Sequence, residues 1–185
     1  MIWLILGLAL WVGAHFFKRL APAARAAMSD KGKLAVTLAS LLAVVLMVLG
    51  YRAAEWVPVY TPLPGMGHAN NTLMLVSLFL FGVGGTKGIL YPKIRHPMLW
   101  GVVVWAVAHL LVNGDLASLV LFGGMGLWAL VSMLLINRAE PWVAPSNGRG
   151  IKGDAMNLVG TLVLLGVIAM IHQWLGHPVF LGTNS

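Results

Sequence analysis

Six stretches of this chain are long, apolar and almost free of charge, and nearly every ionisable residue falls between them. They cover residues 1–17, 34–51, 71–86, 97–112, 116–136 and 157–175. A membrane-crossing helix needs about 20 apolar residues to traverse a hydrocarbon core of ~30 Å. The pattern therefore predicts an all-α, polytopic membrane helix bundle with about six transmembrane helices. In 185 residues these leave only short loops, so 1–185 reads as a single transmembrane domain. Composition agrees: 59% of the residues are hydrophobic and 9% charged, whereas a soluble domain is about 25% charged.

The breaks between runs carry recognisable signals. Residues 18–33 are basic and Ala-rich, with room for an amphipathic turn. Pro58, Pro62 and Pro64 argue against a helix in the segment 52–70, and Asn70 or Asn71 is expected to cap the third run. Pro97 fits the first turn of the fourth. Asn113-Gly114-Asp115 separates the fourth from the fifth, and residues 137–156 form a polar loop. Gly82, Gly84, Gly85 and Gly88, and again Gly123, Gly124 and Gly126, are small residues of the kind that let membrane helices approach closely. They would equally leave space for a flat ligand beside the backbone.

The loops after runs one, three and five hold Lys18, Arg19, Arg25, Lys31, Lys33, Lys87, Lys93, Arg95, Arg138, Arg149 and Lys152; the other side holds only Arg52. By the positive-inside rule the eleven face the cytoplasm, and both the N- and C-termini lie outside. Orientation accounts for the net charge of +7, so no nucleic-acid partner is expected and the expected surroundings are membrane lipids. Met1-Ile2-Trp3-Leu4 is apolar at once and Lys18-Arg19 follow the run, the reverse of a secretory signal. The first run is expected to be a membrane helix.

Chemistry must come from a short list. Cysteine is absent, which removes disulfides, thiolate metal sites and thiol nucleophiles. Carboxylates such as Glu55 and Asp115 lie in loops or at span ends, so a proton pump built on buried Asp or Glu is not expected. A P-loop, a Rossmann glycine pattern, a G-x-S-x-G elbow, H-E-x-x-H and E-x-x-H are all missing. Six histidines remain: His15, His109 and His172 inside apolar runs, His68 and His96 at their edges, and His177 beyond the last. Ionisable groups within a span default to function. An interhelical hydrogen bond would satisfy any one of them, but three in so small a protein point to a cofactor held between helices, with haem as the candidate. His96 and His109 cannot share one iron. Thirteen residues apart on one helix, they are separated by ~20 Å and by roughly 220° of rotation. Depth alone would group His109 with His172 or His68. The ten methionines read as apolar filler. Arg95-His96-Pro97 opens the fourth run at headgroup depth, where Arg95 and His96 would form a polar cytoplasmic site for an anionic group, or where Arg95 simply snorkels and Pro97 starts the helix.

Ala14-His15, the basic stretch to Gly32, Gly65-x-x-His68, Arg95-His96-Pro97-x-x-x-Gly101, Trp105-x-x-x-His109 and His172-x-x-Leu175-Gly176 together resemble the NnrU family and its relative, the plant and cyanobacterial 15-cis-zeta-carotene isomerase. The resemblance covers most of the chain. It implies an integral membrane protein, in a bacterial inner membrane, linked to nitrite and nitric oxide metabolism in denitrification. Through the isomerase it implies haem b, with His15 and His109 matching the two proposed axial ligands, and His172 and His68 as further cofactor-binding candidates. On that reading nitric oxide or a polyene would be the ligand, and a redox-dependent bond would suit a sensor or accessory protein. An enzymatic alternative is a haem-dependent cis–trans isomerase of a carotenoid-like polyene. Another is a membrane methyltransferase or reductase, because the Arg-His-Pro element also resembles the isoprenylcysteine methyltransferase and sterol reductase families. A structural or assembly protein without haem is the third reading. The catalytic residues and protein partner are not identifiable from sequence. The topology is directly testable: a reporter active only in the cytoplasm and fused after Ser185 should be silent, and strong activity would mean an odd number of spans or an inverted chain.

Overall fold

The computed structural model describes residues 1–177 and 179–180. Among them the regular secondary structure is helical: α1 (Ile2–Leu20), the short α2 (Pro22–Ala27), α3 (Ser29–Arg52), α4 (Met66–Thr86) and α5 (Pro97–Leu110), then α6 (Leu116–Ala139) and α7 (Gly150–Trp174). One isolated bridge pairs Pro58 with Asp115. Five helices, α1, α3, α4, α6 and α7, are long and apolar enough to cross a membrane; α5 is apolar but shorter. The expected all-α membrane bundle is therefore observed, with α5 as the sixth apolar helix.

Helix ends differ from the apolar runs for physical reasons. The third run was expected to begin after Asn70 or Asn71, but α4 starts at Met66. Gly65, at φ 81°, reverses the chain immediately after the last proline, and a left-handed residue there suits glycine. α3 and α7 extend beyond their apolar runs to Ser29 and Gly150, because a helix need not stop where hydrophobicity does. The amphipathic turn allowed in 18–33 is α2, with Pro22 in its first turn. α6 contains one π-helical turn over Leu119–Gly123.

The chain divides into two compact units. The first comprises Met1–Val59 and Asp115–Gly124. Here α1 and α3 pack on small residues. A Cβ on Gly50 would lie 2.2 Å from the Leu4 backbone nitrogen, and one on Gly7 would lie 2.8 Å from the Ala43 carbonyl. Leu4 and Ala43 are completely buried at this crossing. Gly124 closes on Leu8. This is the close approach that small residues permit in lipid, where packing rather than hydrophobicity must hold helices together.

The second unit comprises Tyr60–Gly114 and Met125–Ser185. Met74, Leu78 and Ala108 form its core, with Leu73, Phe81, Trp105, Leu165 and Ile168 packed against them, so α4, α5 and α7 meet at this point. Polar ties reinforce the apolar contact. The Ser77 hydroxyl donates to the Gly101 carbonyl at 2.8 Å, and the Asn157 side-chain N–H donates to the Phe79 carbonyl at 2.9 Å. Gly82 leaves the space that Asn157 fills: a Cβ there would sit 1.8 Å from Asn157 Oδ1. Gly88 does the same for Asp154, whose two carboxylate oxygens accept from the Ile89 N–H at 3.1 Å each. Gly84 and Gly85, in contrast, have open space where a side chain would be. Close packing is thus seen at Gly82 and Gly88.

Replacing Gly50 with Leu should therefore destabilise the protein by about 1–3 kcal/mol, the usual cost of overpacking. Gly13→Ala, where a Cβ meets nothing within 4 Å, should be neutral or slightly stabilising. Reversible unfolding in mixed detergent micelles measures both, and equal behaviour of the two variants would refute the packing argument.

Candidate functional site

Each of the three histidines inside apolar helices faces the same physical problem. Its imidazole carries one N–H donor and one lone pair, and neither is tolerated in hydrocarbon without an arrangement for it. The helix supplies the first half of the answer. His15 Nδ1 bonds the Trp11 carbonyl at 2.8 Å, His109 Nδ1 the Trp105 carbonyl at 2.9 Å, and His172 Nδ1 the Ile168 carbonyl at 2.9 Å. A carbonyl only accepts, so Nδ1 must carry the proton in all three, and the lone pair lies on Nε2. That is the tautomer of a histidine that ligates a metal through Nε2, with its other nitrogen held by a backbone carbonyl.

Two of these histidines share an aromatic arrangement. In the first unit His15 stacks on Trp11, centroids 4.1 Å apart and planes at 29°. In the second, His109 meets Trp105 at 5.1 Å and 51°. The tryptophan four residues upstream thus supplies both the accepting carbonyl and a ring that fixes the imidazole plane. Trp-x-x-x-His occurs twice in the sequence, at Trp11/His15 and Trp105/His109; the first occurrence is a signal that the reading of His15 alone had missed.

His109 and His172 both lie in the second unit. Each follows directly on the core where α5 and α7 meet: Ala108 precedes His109, and Ile168 lies one helical turn before His172. His68 is exposed in the first turn of α4, its N–H bonded to the Gly65 carbonyl and its own carbonyl accepting from the Thr72 hydroxyl. No group of three or more His, Cys, Asp or Glu among the described residues is arranged to hold a metal ion.

The end of α5 beyond His109 is closed by polar groups. The Tyr60 hydroxyl donates to the Leu110 carbonyl and lies 2.8 Å from the Asn113 carbonyl, while the Asn113 side chain donates to the His109 carbonyl at 2.9 Å. The Pro-rich segment, expected only to be non-helical, thus supplies a cap.

At the other end of α5, Arg95 and His96 are anchored to the last turn of α6. Arg95 Nη2 donates to the Glu140 carbonyl at 2.6 Å and reaches the Ile136 carbonyl at 3.4 Å. His96 Nε2 pairs with Asn137 Oδ1 at 2.9 Å. A guanidinium on terminal carbonyls satisfies orphan acceptors and complements the helix dipole. These two residues are thus at the opposite end of α5 from His109, and they line a cavity at the basic end of the unit.

One sequence expectation requires correction. Asp115 was placed at a span end and discounted as a buried carboxylate, yet it is only 3% exposed. It caps α6: Oδ1 accepts from the Ser118 N–H at 2.9 Å and Oδ2 from the Ser118 hydroxyl at 2.5 Å. With that proton committed, Ser118 Oγ accepts from the Tyr51 hydroxyl at 2.8 Å. The cause is tertiary: the extended chain at Val57 and Pro58 runs alongside Asp115 and Leu116, with the Leu116 N–H on the Val57 carbonyl at 2.9 Å. The Asp-x-x-Ser spacing, a helix-start signature, was the available signal for the cap.

If the tautomers are as the geometry requires, ¹⁵N-histidine NMR of the metal-free protein in micelles should show Nδ1–H imidazoles at His15, His109 and His172, assigned by single His→Gln variants. An Nε2–H form at any of them would remove that residue as an Nε2 donor.

No curated protein and no solved structure gives a significant match to the chain. A family model described as NnrU protein does match, over residues 3–179. That range takes in both units' helices and all the membrane histidines, and the chain belongs to the NnrU family.

Proposed function

We propose that this NnrU-family membrane protein binds haem b through its membrane histidines and acts as a sensor or accessory factor in bacterial nitrite and nitric oxide metabolism, in the inner membrane. The observation that carries the reading is the tautomer. Every histidine inside an apolar helix commits Nδ1 to its own helix and keeps the lone pair on Nε2. The donor set fits haem iron, which takes neutral imidazole nitrogen, and in the absence of cysteine no thiolate competes for it. His109 is the ligand we assign first, with His15 as the second by resemblance to the isomerase. His172 is the substitute, because it shares a unit with His109 and, like it, adjoins the core where α4, α5 and α7 meet. When bound, the haem would supply an iron centre able to take up nitric oxide. The chain's own residues do the rest: the Trp11 and Trp105 carbonyls hold the Nδ1 protons, and their rings fix the imidazole planes.

A haem-dependent polyene isomerase would use the same histidines, and turnover of a cis-polyene by the reduced protein separates it from a sensor. The decisive experiment is spectroscopic. Wild type purified with adequate haem supply should show a Soret band that shifts when nitric oxide is added to the reduced protein. His109→Ala should lose or strongly alter that band, and so should one of His15→Ala and His172→Ala. A wild type without Soret absorbance overturns the haem reading. A band unchanged in all three variants overturns the ligand assignment.

A further inference from the structure

At the end of α5 opposite His109, the second unit contains a cavity of about 520 Å³. Gly84, Tyr91, Arg95, Met98, Leu99 and Trp142 are among the residues that line it. The wall is mixed. Met98, Leu99 and Trp142 give it an apolar side, and Met98 and Trp142 are themselves substantially exposed. Charge enters through Arg95. Only its Nη2 is used in tethering α6; Nε and Nη1 make no hydrogen bond among the described residues. A guanidinium presents five donors in a planar fork suited to phosphate and carboxylate. The tether orients that fork without exhausting it.

The surroundings have the same sign. The segments 87–95 and 137–156, which supply more than half of the lining, carry Lys87, Lys93, Arg95, Arg138, Arg149 and Lys152 against Glu140 and Asp154. Asp154 is committed to the Ile89 N–H. The Lys87 ammonium lies 5.8 Å from the centroid of Tyr91, a lining residue, which brings a second cation to the rim. The first turn of α5 has no side-chain cap, so the Met98 and Leu99 amides in the lining lack intrahelical acceptors. These amides add to a site that the cavity and Arg95 already define.

We propose that this cavity binds a phosphate-bearing anion, with Arg95 as its principal cation and the apolar wall accommodating the group esterified to the phosphate. Phosphate explains the fork and the basic rim. The apolar side explains why the cavity is not lined by cations throughout. An anionic phospholipid headgroup and a soluble phosphate offer the same chemistry, and the test distinguishes them. The inference is independent of haem.

Gly84 provides a clean probe. It lines the cavity, and a Cβ there meets nothing within 4 Å, so Gly84→Leu fills the space without disturbing Arg95 or its tether. Arg95→Gln removes the charge, and Gly84→Leu guards against the possibility that this variant fails by loosening α6. The full chain is placed in nanodiscs of phosphatidylglycerol and phosphatidylcholine in equal parts. Native mass spectrometry then counts the lipids retained on release, and calorimetry follows binding of inorganic phosphate to the same protein in a neutral detergent. Selective retention of phosphatidylglycerol, weakened at least tenfold in both variants with unchanged helical circular dichroism, establishes a lipid headgroup site. Phosphate binding with the same sensitivity to both variants, without lipid selectivity, establishes a soluble phosphate site. Retention and binding equal in wild type and Gly84→Leu, or absence of both in wild type, overturns the proposal.

Discussion

A helix end in hydrocarbon has no water to complete its hydrogen bonds, and irregular backbone at that depth persists only where protein covers it. α5 is where this constraint is sharpest. Its 14 residues span only about 21 Å, less than a hydrocarbon core of ~30 Å. The Tyr60 hydroxyl and the Asn113 side chain serve the carbonyls of its last turn, and the Tyr60 N–H is itself held by the Gly114 carbonyl. The Pro-rich segment before α4 is therefore part of the solution rather than a spacer. It supplies the cap that allows α5 to stop one residue after His109.

The same constraint explains how the helices are held. Between apolar surfaces in lipid there is little hydrophobic gain, so contact depends on close packing and on polar ties. Gly7 and Gly50 provide the first in one unit. Ser77, Asn157 and Asp154 provide the second in the other, and Gly82 and Gly88 make room for the side chains of Asn157 and Asp154. A polar side chain and the glycine it needs lie far apart in the sequence, and neither is informative without its partner. Asn157 reads merely as the first residue of an apolar run until Gly82 is found opposite it.

This is also the boundary of what the sequence discloses. The apolar runs, the loop signals at Pro97 and Asn113-Gly114, and the isolation of the ionisable residues depend on neighbours along the chain, and all are legible. The π-turn in α6, the burial of Asp115 and the anchoring of Arg95 depend on neighbours in space. Asp115 was misjudged because its immediate neighbours are polar, whereas its exposure is decided by the chain at Val57 and Pro58. Arg95 and His96 stand at the helix start that Pro97 announces. Their partners, the carbonyls of Ile136 and Glu140 and the amide of Asn137, lie some 40 residues away, and no local pattern announces them. The candidate ligands were legible because a histidine within an apolar run is conspicuous by itself, and depth along the helices already groups His109 with His172 or His68.

The back-bonded histidines unite stability and function in one geometry. A lone Nδ1–H in lipid would be costly, and bonding it to the carbonyl four residues upstream removes that cost without any partner from another helix. In His15 and His109 the same upstream residue is tryptophan, so the ring is also confined in orientation. What remains is a lone pair on Nε2 projecting from a fixed imidazole. In water such a group would be unremarkable, since solvent could donate to it. Three helices present it in the same tautomer. The common tautomer on α1, α5 and α7 follows from that local rule, since the nearest acceptor for an Nδ1–H in an apolar helix is the carbonyl one turn upstream on the same helix.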